Sequence, residues 1–276
     1  IFFKTSKGVI IQDDCRNVIS KLPNQSIHTI YSDLPFKMTQ NKWDNIIPLE
    51  WMWSEFNRLL KPNGVIVLHA MEMFSALLMS TNPKQYKFKW YWQKDRGTGH
   101  LNAKKMPLRD VEEILIFSPA KLGNFTYNPQ MTEGESYDKG IRKDQYTGSY
   151  GDFKPRHVKS NGKRYPNDVV FFEEHNTDDF VYFKTAESEG KVYHPTQKPV
   201  ELGRYLIRTF TNLGDVVLDN ACGSGSFLVA AVLEGRNYIG IEKNENVLLH
   251  KVKAIDYIKV CNDRIREAEE KRISEM

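Results

Sequence analysis

The chain has 276 residues, 40% hydrophobic and 27% charged, with a net charge of +4. That length buries a full core and suits one large domain or one domain with an insertion, and the composition excludes a disordered chain. No apolar run reaches the roughly 18–20 residues of a bilayer span, and no signal peptide is visible. Cys15, Cys222 and Cys261 are too few and too scattered for a disulfide frame or a zinc site, so no metal, no membrane and a reducing cytoplasm are the expectations.

Residues 8–12 read as a short strand, followed by Asp13 and Asp14. Residues 15–22 predict a helix with Val18, Ile19 and Leu22 on one face. Pro23 and Asn24 break it, and residues 27–32 form an apolar β-type run. That run ends in Asp33-Leu34-Pro35-Phe36. An acid at the carboxyl end of a buried strand sits on the rim where open α/β sheets bind ligands. Pro35 biases Leu34 toward an extended backbone, and Phe36 offers a flat ring. Taken alone, the four residues fit two readings. One is a strand end with a surface acid and a turn proline. The other is a receptor for a planar group carrying an amine, such as a nucleobase.

Residues 48–60 predict a helix, and Lys61-Pro62-Asn63-Gly64 predicts a stop and turn. Gly64–His69 has the near-continuous apolar character of a buried parallel strand. Residues 71–80 read as a helix, and Lys87–Gln93 and Glu112–Ser118 as strands. His69, His100 and His194 have no spacing that suggests a metal or acid–base pair, so packing or hydrogen bonding is expected of them. Glu112 and Glu113 read as a strand start.

From about residue 119 to 190 the periodicity fades, with short strand-like pieces at 168–172 and 180–183. This stretch predicts an inserted region of its own. Between Lys139 and Pro166, Lys139, Arg142, Lys143, Lys154, Arg156, Lys159, Lys163 and Arg164 face only Asp144 and Asp152, with Tyr137, Tyr146, Tyr150, Phe153 and Tyr165 interleaved. Such a basic stretch suits phosphates and base edges. The alternative is a solvated charged loop.

Regular patterning then returns: a helix over 199–211, a buried strand over Asp215–Asp219, a small-residue loop over Ala221–Phe227, a helix over Leu228–Glu234 and a strand over Tyr238–Glu242. A charged amphipathic helix follows from about Asn246. Strands alternating with helices predict an α/β, Rossmann-like, mostly parallel sheet with helices on both faces, formed by residues 1–118 and 191–276. The loop carries Gly223 and Gly225, and Glu242 ends the next strand, where an acid can bind both ribose hydroxyls. Leu228 stands where a dinucleotide fold wants its third glycine, and no phosphate-binding lysine follows. Asp219 would repel a pyrophosphate but could hold the ammonium of an amino acid. An adenosine carrying an amino acid is S-adenosylmethionine, which these residues suit better than a nicotinamide cofactor.

With both motifs in place, the chain resembles the amino-group DNA methyltransferases, which methylate adenine N6 or cytosine N4. Asp33-Leu34-Pro35-Phe36 matches their [Asp/Asn/Ser]-Pro-Pro-[Tyr/Phe/Trp] signature, and Asp219 to Gly225 matches their cofactor loop. The order of catalytic motif, basic insert and cofactor loop is that of the beta class. His194-Pro-Thr-Gln-Lys-Pro199 matches a segment that in this class helps bind the methionine end of the cofactor, and Asp14 matches an acid near its adenine. The resemblance therefore implies Asp33, Leu34, Pro35 and Phe36 as the catalytic set. It implies Asp14, Asp33, His194, Thr196, Lys198, Asp219, Ala221, Gly223, Gly225 and Glu242 around the cofactor. Leu34 departs from the pattern by replacing a proline; its carbonyl is retained and rigidity is lost. Cys222 departs as well and reads as a small packing residue. Lys42-Trp43-Asp44 is similar to an element common in phage and prophage members, without an assigned role.

What the resemblance implies is site-specific adenine N6 methylation of double-stranded DNA, with the base flipped out and residues 119–190 reading the target. It admits a homodimer, a cognate restriction nuclease and a bacterial or phage-infected cell. Cytosine N4, RNA, or a non-catalytic methyltransferase-like subunit are the alternatives. Asp33 favours adenine, Leu34 keeps the non-catalytic reading open, and the intact cofactor loop opposes it.

Overall fold

The computed structural model describes residues 2–35, 47–142, 145–147, 151–170, 186, 191–193, 196–244 and 255–275. An antiparallel pair, β1 (Phe2–Lys4) and β2 (Gly8–Gln12), opens the chain. Asp14 caps the short helix α1 (Cys15–Ile19) by accepting from the Arg16 N–H, which satisfies a donor left open at a helix start. The apolar run forms β3 (Ile27–Ser32), with the bounds the sequence predicts. In α2 (Leu49–Leu59), Met52, Trp53, Phe56 and Leu59 are buried.

The next strand, β4 (Leu60–Ala70), starts four residues earlier than the turn signal at Lys61–Gly64 predicts. Leu60 already pairs with Ile27, and the following pair is Thr29–Val65, so Lys61–Gly64 bulges opposite His28. Turn chemistry shapes the bulge while pairing on both sides keeps it in the sheet. A Cβ on Gly64 would stand 2.9 Å from the His28 carbonyl oxygen, so a side chain there would force the bulge apart. After α3 (Glu72–Thr81), a long hairpin is made by β5 (Tyr86–Thr98) and β6 (Arg109–Phe117). Both strands extend beyond the apolar stretches that announce them.

The basic region builds three two-stranded ladders outside the main sheet. They are β7 (Thr132–Glu133) with β12 (Lys163–Arg164), β8 (Tyr137–Arg142) with β11 (Arg156–Ser160), and β9 (Gln145–Thr147) with β10 (Gly151–Phe153). A further strand, β13 (Val169–Val170), pairs in parallel with β5. The rest of the 168–172 strand beyond 170, and all of 180–183, lie outside the described residues. Then come α4 (Val200–Phe210), β14 (Val216–Asp219), α5 (Ser226–Leu233), β15 (Asn237–Glu242) and α6 (Tyr257–Ser274). The helix α5 begins two residues before the predicted Leu228, because Gly225, at φ 80°, makes the turn into it.

Among the described residues the main sheet has nine strands in the order β1–β2–β15–β14–β3–β4–β6–β5–β13. The strands β2, β15, β14, β3 and β4 are mutually parallel, and β6 runs antiparallel between β4 and β5. Alternate side chains serve opposite faces. Tyr31, Val65 and Val67 join Leu202, Leu206, Phe210, Phe227 and Ile258 on the face of α4, α5 and α6. Ile30, Ile66 and Leu68 join Ile19, Met52, Phe56 and Leu78 on the face of α1, α2 and α3. Each such fully buried apolar side chain contributes about 1.5–3 kcal/mol before the entropy of ordering is counted. The connection from β14 through α5 leads to β15 on one side, whereas that from β3 through α2 leads to β4 on the other. The sheet order therefore reverses between β14 and β3, the switch point at whose carboxyl ends open α/β sheets form a ligand crevice.

Candidate active site

Asp33 follows β3, Asp219 ends β14, Glu242 ends β15, and Asp13 and Asp14 follow β2. Because these strands are parallel neighbours, their acids share one rim of the sheet. Burial pushes the Asp219 carboxyl well above its ordinary range, and the charges of Asp33 and Glu242 push it further. One of its oxygens accepts from the Ala221 N–H at 3.1 Å. Asp14 sits at the edge of the group, where the guanidinium of Arg16, 2.8–3.0 Å away, holds its carboxyl down at about 2.

The glycine turn is tied to this rim. Gly223 and Gly225 have φ of 50° and 80°, and the Gly223 N–H donates to Glu242 Oε2 at 2.8 Å. Oε1 of the same carboxylate accepts from the Asn244 N–H at 2.8 Å. A Cβ on Gly225 would lie 2.3 Å from Cys261 Sγ on α6. Leu228, in the place of a third glycine, is buried against Gly240 of β15, where a Cβ would come within 2.3 Å of its Cδ1. The close helix–strand approach is thus made by a glycine on the strand instead of the helix. Cys222 is buried, and its contact with Cys261 together with burial pushes its thiol well up, as suits a packing residue.

At the other side of the crevice, Lys198 Nζ donates to Asp33 Oδ2 at 2.7 Å and lies 3.1 Å from Glu112 Oε1. The second Asp33 oxygen, Oδ1, is buried and without a hydrogen-bond partner among the described residues, as is Asn220 Oδ1. Glu112 also meets His69 Nδ1 at 2.6 Å and Lys94 Nζ at 2.9 Å. Burial opposes its charge, but Lys198, His69 and Lys94 outweigh burial and hold the carboxyl well below the usual range. Tyr31 Oη lies 3.1 Å from His69 Nε2. With its proton on Nδ1 the imidazole donates to Glu112, and Nε2 can accept from the Tyr31 hydroxyl. Phe227 of α5 stacks on the His69 ring at 5.6 Å.

Leu34 is 2% exposed, and its side chain packs into the core on the α2 face. That burial restrains the backbone where the signature has a proline ring. Pro35 is half-buried and Thr196 exposed. Phe36, His194 and Lys42-Trp43-Asp44 lie outside the described residues. Gln197 is held by the Tyr193 N–H and the Ser224 hydroxyl, each at 3.0 Å, which brings the segment around Lys198 against the glycine turn. Arg264 of α6 donates to the Ser224 carbonyl at 2.7 Å. Among the described residues no group of three or more His, Cys, Asp or Glu is arranged to hold a metal ion, and no helix is long and apolar enough to cross a membrane.

Several participants escaped the sequence reading. Glu112 lies inside β6, which begins at Arg109 rather than at the expected Glu112, and Lys94 and Arg264 carried no motif. The available signals were a histidine inside an apolar strand and an acid opening another. In the basic region some charge is structural. Arg164 donates to Ser160 Oγ and the Glu135 carbonyl and lies over the Tyr137 ring, with Lys139 over the same ring. Arg96, Lys104 and Lys105 are exposed toward the free end of the β5–β6 hairpin, on the carboxyl side of the sheet.

A switch-point crevice with a glycine turn, strand-end acids and no phosphate cradle defines a Rossmann-like protein built for an adenosine-type ligand. A family model described as DNA methylase matches residues 27–252, and the chain belongs to that N6/N4 DNA methylase family. It is similar to the type II methyltransferase M1.MboII of Moraxella bovis, with 27% identity over 251 residues, covering 85% of this chain and 91% of that one. It is also similar to the DNA adenine methyltransferase YhdJ of Escherichia coli (strain K12), with 27% identity over 270 residues, covering 92% of this chain and 84% of that one. Among solved structures, the M1.HpyAVI–SAM complex superposes with a TM-score of 0.57 at 21% identity, covering 92% of this chain and 98% of that one. The cytosine-N4-specific PvuII DNA methyltransferase superposes with a TM-score of 0.58 at 17% identity, covering 97% and 94%. At those identities the structures speak to the fold.

Proposed function

We propose that this protein methylates the exocyclic N6 amine of a flipped-out adenine in double-stranded DNA, using S-adenosylmethionine. The observation that carries the reading is the state of Asp33: one oxygen is fixed by Lys198, and the other is buried and unpartnered at the crevice. S-adenosylmethionine, when bound, supplies a methyl group on a positively charged sulfur. The residues present fit such a molecule. Asp219 suits its ammonium, Glu242 ends the strand where an acid can meet ribose hydroxyls, and Asp14 belongs by resemblance near its adenine. By resemblance Ala221, Gly223 and Gly225 belong to the cofactor loop, and His194 and Thr196 to the methionine end.

The amine of adenine is a poor nucleophile because its lone pair is shared with the ring. Asp33 Oδ1 and the Leu34 carbonyl would accept its two N–H bonds and draw that lone pair back onto nitrogen. The same acceptors stabilise the positive charge growing there, a preorganised electrostatic effect. Phe36 would stack on the base and hold it in line. The carboxylate at position 33 favours adenine over cytosine N4. The basic ladders of residues 119–190 and the tip of the β5–β6 hairpin supply phosphate contacts. A labelled-methyl transfer onto duplex DNA, followed by nucleoside chromatography, tests the reading: label is expected in N6-methyladenine. Label in N4-methylcytosine would replace the target base, and label in neither would defeat the proposal.

A further inference from the structure

We infer that Glu112, acting through Lys198, is a positioning residue for Asp33; the inference rests on the methyl-transfer reading above. Asp33 needs one free oxygen for an amine, and only Oδ1 is free among the described residues. What keeps Oδ1 free is the placement of Lys198 on Oδ2 at 2.7 Å. A lysine ammonium is a compact charge on a flexible stem, and nothing in its own geometry makes it choose one carboxylate oxygen over the other. Glu112 makes the choice. Its Oε1 lies 3.1 Å from Lys198 Nζ and gives the ammonium a second anchor while it sits on Oδ2, and its own position is set by His69 at 2.6 Å and Lys94 at 2.9 Å. His69 is fixed in turn by Tyr31 and by the stacked Phe227. Tyr31 and His69 are fully buried and the Glu112 side chain is 5% exposed, so water cannot substitute for the links from Tyr31 through His69 to Glu112.

Two carboxylates and two ammonium groups balance in this chain of contacts. Burying four charges is a poor way to gain stability, since well-packed apolar groups serve as well or better. Here the arrangement ends on the carboxylate that must present a single open oxygen. Without the Glu112 charge, Lys198 straddles both Asp33 oxygens and covers the acceptor.

The test uses the full chain with Glu112→Gln, and with the charge-balanced pair Glu112→Gln and Lys94→Met, which removes one charge of each sign and so protects folding. The expected result is a fall in kcat of about 100-fold in both variants, with KM for DNA and Kd for S-adenosylmethionine within about threefold of wild type. Unchanged kcat in the folded double variant would overturn the inference. So would a loss confined to S-adenosylmethionine affinity, which would assign Glu112 and Lys198 to cofactor binding. Transfer by the wild-type protein separates the two possible failures. If the wild type transfers nothing, the reading of the site falls; if wild type and variants transfer alike, only the positioning role falls.

Discussion

The backbone N–H of Gly223 donates to Glu242 Oε2 at 2.8 Å, so the turn after β14 is held by the acid that ends β15. Glu242 therefore has two tasks in the proposed site, shaping the glycine turn and meeting the ribose. Glu242→Ala removes both, and hydrogen bonds to a charged group contribute about 1.5–3 kcal/mol each. The Kd for S-adenosylmethionine is expected to rise about 10- to 100-fold by titration calorimetry. Glu242→Gln keeps one acceptor and should lose less.

Asp219, assigned in the proposed function to the ammonium of the cofactor, is a carboxyl buried at the expense of stability. Its pKa is raised, mainly by burial. A raised folded value favours the folded state below the ordinary carboxylate range and is lost as pH rises through the folded value. Asp219→Asn should thus be more stable than wild type by about 1 kcal/mol near neutral pH, the gap closing toward about pH 4. The same variant should bind S-adenosylmethionine more weakly. Thermal melts across pH, with binding measured in parallel, check both halves.

Glu112 has the opposite sign. Its lowered pKa contributes stability that is full above the ordinary glutamate value of about 4.3 and is lost as pH falls through the folded value. Breaking such a buried pair costs about 3–5 kcal/mol. Wild type should exceed Glu112→Gln by that amount near neutral pH, and the difference should shrink on acidification. Denaturant titrations over an acid pH series measure it.

The basic residues of the ladders divide into two kinds. Arg156 is exposed on β11, and Arg156→Ala should lower the slope of log affinity for DNA against log salt by about 0.9. Arg164 holds Ser160, Glu135 and Tyr137 together. Arg164→Ala should also speed amide hydrogen exchange across β8 and β11. Salt-dependent DNA binding and exchange mass spectrometry distinguish the two.

The parallel core was legible because its strands are apolar runs: β14 and β15 end on the acids that the patterning marks, and Asp33 directly follows β3. The bulge at Lys61–Gly64 was not, since a turn signal is local while pairing with β3 is tertiary. The glycine turn and Glu242 were visible as a motif about twenty residues long. The contact from Glu112 through Lys198 to Asp33 was hidden because it joins residues far apart in the chain, which only the β3–β4–β6 order and the approach of the segment before α4 bring together. Leu34 looked like a loss of rigidity; its burial on the α2 face shows how a side chain can anchor the backbone where a proline ring is missing.

The central claim is that Asp33 activates an amine rather than holding the cofactor alone. Asp33→Ala, compared with wild type for labelled-methyl transfer to DNA and for S-adenosylmethionine binding, tests it most directly. The account predicts that transfer falls by at least about 100-fold while binding persists. Full methyl transfer by Asp33→Ala would contradict it.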